Sequence, residues 1–258
     1  MRRDLGGAHM RLRKAMVSRV DHATTLAGRK FSVSTVEHLL AALRVMGVDN
    51  VSIELDGPEV PIMDGSAAPF IFLIREAGLR RQPAARAYLV VRESIEIRED
   101  GREIAIHPAD RLRVSYTIDF PGTFIGKQSF SRALHKQLFA EEIAPARTFC
   151  FLRDVAALRA RGLALGGSLE NAVVIDDNAP MNRLRFPDEF VRHKVLDLVG
   201  DLALMGMPVL GHVVATKAGH SLHARLVEEL HRPGATERVV RTGVGEVTLE
   251  PVAAGVSY

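Results

Sequence analysis

Phe190-Val191-Arg192-His193-Lys194-Val195-Leu196-Asp197 has the pattern of an apolar helix that carries two metal-capable side chains. His193 and Asp197 are four residues apart, so both project from one face, about one turn from each other. The pair can be read as a surface ion pair. Val195, Leu196, Leu198 and Val199 surround it, however, and favour an inward-facing role. A second segment, Ser34-Thr35-Val36-Glu37-His38-Leu39-Leu40, supplies a further histidine. With His38 as third ligand the set becomes two imidazoles and one carboxylate with one position open, the arrangement of a catalytic rather than a structural zinc.

Glu37 has two readings. Ser34-x-x-Glu37 fits a capping box; beside a ligand at position 38, the same carboxylate can take a proton from water. Asp201 falls one turn after Asp197 and suits an acceptor that orients a histidine. His220, in Gly219-His220-Ser221, is a candidate for proton transfer. Lys194 is either a solvated charge or a cation near substrate oxygens. These residues together point to metal-assisted hydrolysis. The Lys-Ser/Thr phosphate loop and His-Glu-x-x-His are both absent, which excludes a P-loop nucleotidase and a zincin protease.

The bulk composition agrees with a soluble, well-cored protein. The 258 residues are 47% hydrophobic and 25% charged. Net charge is +3 and the basic residues are scattered. This suits an anionic small substrate and gives no support for a nucleic-acid partner. One cysteine, Cys150, excludes an intramolecular disulfide and a Cys-rich zinc site, and fits a reducing compartment. The longest apolar stretch, Val195 to Ala215, is interrupted by Asp197, Asp201, Gly206, Pro208 and His212. No membrane-spanning segment is therefore expected.

The chain is expected to form an α+β fold. A first domain would span residues 1–84 and a second 85–258, joined near Arg80 to Arg86. In the first, a helix opens at Ser34 and stops at Gly47, Val51 to Leu55 alternates as a strand, and Ser66 caps a helix that ends at Gly78. In the second, strands follow from Tyr88, Ser94, Glu103 and Leu112, with a turn at Glu99-Asp100-Gly101. A helix over Phe151 to Arg161, a strand at Asn171 to Ile175 and the long helix Asp188 to Met205 come next. Leu210 to Thr216 then reads as one strand, and Ser221 caps a last helix. The ligands come from both halves, which places the site in the cleft between them.

Six segments in this order resemble the UDP-3-O-acyl-N-acetylglucosamine deacetylases, the zinc amidases of lipid A synthesis. They are Ser34 to Leu39, Pro61-Ile62-Met63-Asp64-Gly65-Ser66-Ala67-Ala68-Pro69-Phe70, Ala146-Arg147-Thr148-Phe149, Leu165-Gly166-Gly167-Ser168, Phe190 to Asp197, and Ala218-Gly219-His220. The resemblance implies two layered α/β sandwich domains packed helix to helix around the active site. It implies Zn(2+) held by His38, His193 and Asp197, with Glu37 as general base. His220 would serve the leaving amine, with Asp201 as its partner, and Thr148 would help hold the oxyanion. Lys194 and Phe149 match substrate contacts. Leu152, Val155, Leu163, Ala164, Leu169 and Val174, with Gly167 and Ser168, would line an acyl-chain passage; their plainer reading is ordinary core.

The implied reaction is hydrolysis of the N-acetyl group of a UDP-linked acylated glucosamine, giving acetate and the free amine, the committed step of lipid A biosynthesis. The enzyme is expected to be cytoplasmic and monomeric, touching the inner membrane surface transiently. The family's Gly-x-Gly-Leu-His-x-Gly strand, about 40 residues upstream of this start, has no counterpart here, so the first sheet is expected to lack strands and expose an edge. The competing reading is a catalytically impaired binder of sugar nucleotides or acyl chains.

Overall fold

A computed structural model describes residues 1–11, 17–19, 23–176, 178–242 and 246–249. Mixed helices and sheets make an α+β fold, as expected. A small antiparallel sheet comes first, ordered β1 (Val17–Arg19), β2 (Thr25–Ala27), β3 (Ser32–Val33). Helix α1 (Glu37–Met46) buries Leu40, Ala41, Ala42, Leu43 and Met46 and ends at Gly47, whose positive φ permits the left-handed cap. Helix α2 (Ala68–Ala77) starts with Pro69, and Ser66 Oγ accepts from the Ala68 amide, close to the expected cap.

Strands β4 (Arg86–Val91), β5 (Ile95–Glu99), β6 (Arg102–His107), β7 (Arg113–Phe120) and β8 (Gly126–Ala133) follow. Asp100 and Gly101 both have positive φ between β5 and β6, the geometry of a two-residue primed hairpin turn. Helix α3 (Lys136–Leu138) runs into a wider turn that ends at Ile143. Then come β9 (Phe149–Phe151), α4 (Leu152–Ala160), β10 (Val173–Ile175) and α5 (Glu189–Leu202). Strands β11 (Val209–Leu210) and β12 (His212–Thr216), helix α6 (His220–Leu230), and strands β13 (Thr236–Thr242) and β14 (Glu246–Leu249) complete the order.

Two larger sheets, β5-β6-β12-β7-β8 and β11-β4-β13-β14, are joined at Gly211. A Cβ there would lie 2.8 Å from Val91 Cγ2 and 3.0 Å from Ile106 Cδ1, so the crossing between sheets leaves no room for a side chain. The stretch expected as one strand, Leu210 to Thr216, is therefore two. Helix α5 occupies the centre. Phe190, Val191, Val195, Leu196, Leu198 and Val199 are buried, and the helix packs on α1, α6, β7 and β8.

Three local expectations are corrected. Residues 51–54 form no strand; Leu55 makes an isolated parallel bridge to Arg2, bonding the Met1 carbonyl and the Arg3 amide, and the Ile53 carbonyl accepts from the Met1 ammonium. Val51, Ser52 and Glu54 are exposed, so their alternation buries nothing. Helix α1 begins at Glu37 with no side-chain cap, and the capping-box reading of Ser34 and Glu37 fails. Helix α6 starts at His220, capped by extended Gly219, which puts Ser221 inside the helix. Strands β1, β2, β3, β8, β9, β13 and β14 had no sequence expectation.

Candidate metal centre

The site starts from the close contact of α1 with α5. A Cβ on Gly200 would lie 2.1 Å from the Glu37 carbonyl oxygen. The missing side chain lets the first turn of α1 rest on α5, facing His193 and Asp197. His38 Nε2 then lies 3.6 Å from Asp197 Oδ1, and His193 Nε2 lies 3.3 Å from the same oxygen. All three residues are buried, and one ligand atom from each lies within 4.8 Å of the other two.

Asp197 Oδ1 is buried without a hydrogen-bond partner, a costly state for a carboxylate oxygen unless a cation meets it. The His193 Nδ1 atom is 3.1 Å from the Ala146 carbonyl. Its proton therefore sits on that side, and the Nε2 lone pair points at Asp197. Burial drives the His193 pKa down to about 3, which keeps the imidazole neutral, as a ligand must be. Burial would push Asp197 up, but the Lys194 ammonium beside it holds it well below the usual carboxylate range. Two imidazoles and one carboxylate, converging with an orphaned oxygen, fit a zinc-like cation.

Glu37 is 3% exposed. One carboxylate oxygen accepts from the Thr24 amide at 3.1 Å, and the other lies 4.0 Å from His220 Nε2. Burial raises its pKa, with His38 and His220 opposing. His220 Nε2 also lies 3.8 Å from Asp197 Oδ2, while its Nδ1 donates to Asp201 Oδ2 at 2.7 Å. Burial alone would lower His220; the charge and hydrogen bond of Asp201, helped by Asp197 and Glu37, raise it to about 9. Asp201 goes the other way: burial would raise it, yet the two histidines bonded to it keep it at about 2. A buried acid and a buried base of shifted pKa thus face the same space, the usual environment of proton transfer.

Lys194 Nζ is 2.9 Å from Asp197 Oδ2 and 5.5 Å from the centre of the Phe149 ring. Phe149 stands 6.3 Å from His193 and 5.0 Å from Phe190 by ring centroids, which puts both residues at the mouth of the cluster. Thr148 is half-buried just before β9; its amide donates to the Gly65 carbonyl at 2.8 Å. Gly65 has φ +83°, and a Cβ there would lie 2.0 Å from the Asn171 carbonyl oxygen.

The remaining residues lie away from the cluster, along β9, α4 and β10. Helix α4 has no buried residue, which removes the ordinary-core reading for Leu152 and Val155. Leu152 and Leu169 are 47% and 46% exposed, Leu163 and Val174 half-buried and Ala164 exposed. Gly167, Ser168 and Leu169 sit in an exposed loop tied by Asn171 and Asn182.

Sequence reasoning missed three buried residues. Thr24 bridges Glu37 and Asp201, its hydroxyl donating to Asp201 Oδ1 at 2.6 Å. His223 donates from Nδ1 to Asp201 Oδ2 at 2.8 Å, and Tyr116 stands 3.0 Å beyond it. His223, three residues after His220 on one helix face, had a readable signal; Thr24 and Tyr116 had none.

The family model described as LpxC, UDP-3-O-acyl N-acetylglycosamine deacetylase, matches residues 1–232. A UDP-3-O-acyl-N-acetylglucosamine deacetylase of Anaeromyxobacter sp. (strain Fw109-5) is 52% identical over 237 residues, covering 90% of this chain and 78% of the relative. Its counterpart in Anaeromyxobacter dehalogenans (strain 2CP-C) is 51% identical, covering 85% and 72%. That of Myxococcus xanthus (strain DK1622) is 53% identical, covering 81% and 67%. The chain belongs to the LpxC family of UDP-3-O-acyl N-acetylglycosamine deacetylases.

Proposed function

We propose that this protein hydrolyses the N-acetyl group of a UDP-linked 3-O-acylated glucosamine, releasing acetate and a free amine for lipid A synthesis. The observation that carries this reading is the orphaned Asp197 Oδ1 between two histidine Nε2 atoms, with Glu37 and His220 on the same space. His38, His193 and Asp197 would hold the metal, assigned as zinc. When bound, it supplies Lewis acidity toward water and the amide carbonyl.

Glu37 takes the proton of the attacking water. Its raised pKa makes it a better proton acceptor than an exposed carboxylate while still leaving it able to ionise. His220, kept protonated by Asp201, delivers a proton from Nε2 to the departing amine nitrogen. Thr148 helps to hold the carbonyl oxygen, a donor worth about 3 kcal/mol when correctly aimed. Lys194 and Phe149 hold the sugar end of the substrate. The apolar side chains of α4 and its following loop, Leu152, Val155, Leu163 and Leu169, take the acyl chain, with Gly167 and Ser168 at the turn.

The enzyme acts as a cytoplasmic monomer on residues 1–84 and 85–258 as two domains. No helix among the described residues is long and apolar enough to cross a membrane, and contact with the inner membrane is transient. The test is acetate release by zinc-loaded protein, with Glu37→Ala and His220→Ala alongside. Loss of release in both variants is expected; near-full activity in either one removes the role assigned to that residue.

A further inference from the structure

Behind His220 and Asp201 lie two buried residues that the hydrolysis scheme does not use, His223 and Tyr116. Asp201 Oδ2 accepts from two imidazoles, His220 Nδ1 at 2.7 Å and His223 Nδ1 at 2.8 Å, and Asp201 Oδ1 accepts from Thr24. His223 is 1% exposed and Tyr116 is fully buried. Because His223 Nδ1 faces an ionised carboxylate oxygen, that nitrogen carries the proton and Nε2 is a bare acceptor. Burial, which lowers the His223 pKa, keeps the ring in this neutral form.

The Tyr116 hydroxyl lies 3.0 Å from His223 Nε2 and 2.8 Å from the Ala218 carbonyl. Its single proton lies between two acceptors, the second imidazole and the carbonyl of the turn that leads into α6, and the hydroxyl touches both. Tyr116 comes from β7, Ala218 from the loop, His223 from α6 and Asp201 from α5. Thr24 and two imidazoles of α6 thus meet on the α5 carboxylate, and β7 and the loop join one contact further out, through Tyr116.

We propose that His223, held by Tyr116, is a positioning residue: it locks the rotation of Asp201 and so aims His220 Nε2 into the space shared with Glu37 and Asp197. The inference rests on the deacetylase reading for its kinetic arm only. A carboxylate with a single imidazole partner can turn about its Cβ–Cγ bond and follow that ring. With His223 and Thr24 also bound, it has one orientation. A filler of similar size would occupy the volume without that restraint.

The experiment compares His223→Leu, His223→Asn and Tyr116→Phe in zinc-loaded protein. His223→Leu removes the donor to Asp201; His223→Asn retains an N–H in its place. The expected result is a kcat roughly 10- to 100-fold lower in His223→Leu, with KM and zinc stoichiometry unchanged. His223→Asn should recover most of the loss, and Tyr116→Phe should fall between it and His223→Leu. A second readout needs no turnover. The proton on His220 Nδ1 gives a low-field imidazole resonance by NMR of histidine-labelled protein. That resonance should persist in His223→Asn and broaden or vanish in His223→Leu. If wild-type protein releases no acetate but the resonances follow this pattern, the functional reading fails and the positioning role stands. Wild-type kcat and an unchanged resonance in His223→Leu overturn it, as does a His223→Asn variant no better than His223→Leu. Should His223→Leu not fold, a Tyr116→Phe variant with wild-type kcat and an unshifted resonance overturns it equally.

Discussion

Glu37 opens α1 beside a candidate ligand, yet its carboxylate faces Thr24 and His220 rather than its own helix end. Glu37→Gln keeps the shape and loses the proton acceptor. Acetate release should fall about 10²- to 10⁴-fold, while bound zinc, measured by elemental analysis, stays at the wild-type level. Glu189 shows a structural use of the same kind of group. It is fully buried and accepts from the Arg147 side chain and from the amides of Arg147 and Arg185. Burial would raise its pKa, but these donors lower it below the ordinary 4.5. A depressed folded-state pKa gives stability that is complete above the unfolded value and is lost as pH falls through the folded one. Arg147→Leu strands the carboxylate and should cost about 3–5 kcal/mol, read by urea denaturation at neutral pH. The variant should also lose the part of the wild-type acid sensitivity that Glu189 supplies below pH 4.5. The metal-ligand candidates could be read from residue type and spacing. The Thr24 partner of Glu37 could not, because an amide at position 24 has no side-chain signature.

Helix α5 was legible from its apolar period and its stop at Gly206, and the β5–β6 hairpin from Asp100-Gly101. Both depend on local chemistry. The segment at 51–55 has a strand's alternation and no ladder, since pairing depends on a neighbour the segment does not specify. Gly200 shows how an element contact can reverse a local rule. Ala in place of Gly inside a helix ordinarily stabilises by about 1 kcal/mol. Here its Cβ would meet the Glu37 carbonyl at 2.1 Å, so α1 and α5 must separate. Gly200→Ala is expected to destabilise by about 1–3 kcal/mol and to weaken zinc binding by pulling His38 from His193 and Asp197. Thermal unfolding and a zinc titration check the two effects; a variant more stable than wild type with unaltered zinc affinity would contradict the close-contact argument.

Across the molecule, the candidate cation site brings one proposed ligand from the first half to two from the second. A metal bound there by the folded state alone would staple α1 to α5. At free zinc one hundred times Kd the gain is about 2.7 kcal/mol, several degrees of Tm for a chain of this size. Chelation should lower Tm by that increment, and His193→Ala should be insensitive to the chelator. Residue order alone carried the α+β class, the helix that bears His193 and Asp197, and the candidate ligand set, because helix periodicity and ligand type are local properties. The convergence of Thr24, Glu37, Asp201, His220, His223 and Tyr116 was settled by packing. Thr24 and Asp201 meet across 177 positions, and no short-range pattern encodes such a distance. It follows from α1 settling on Gly200 and from β7 placing a tyrosine under α6.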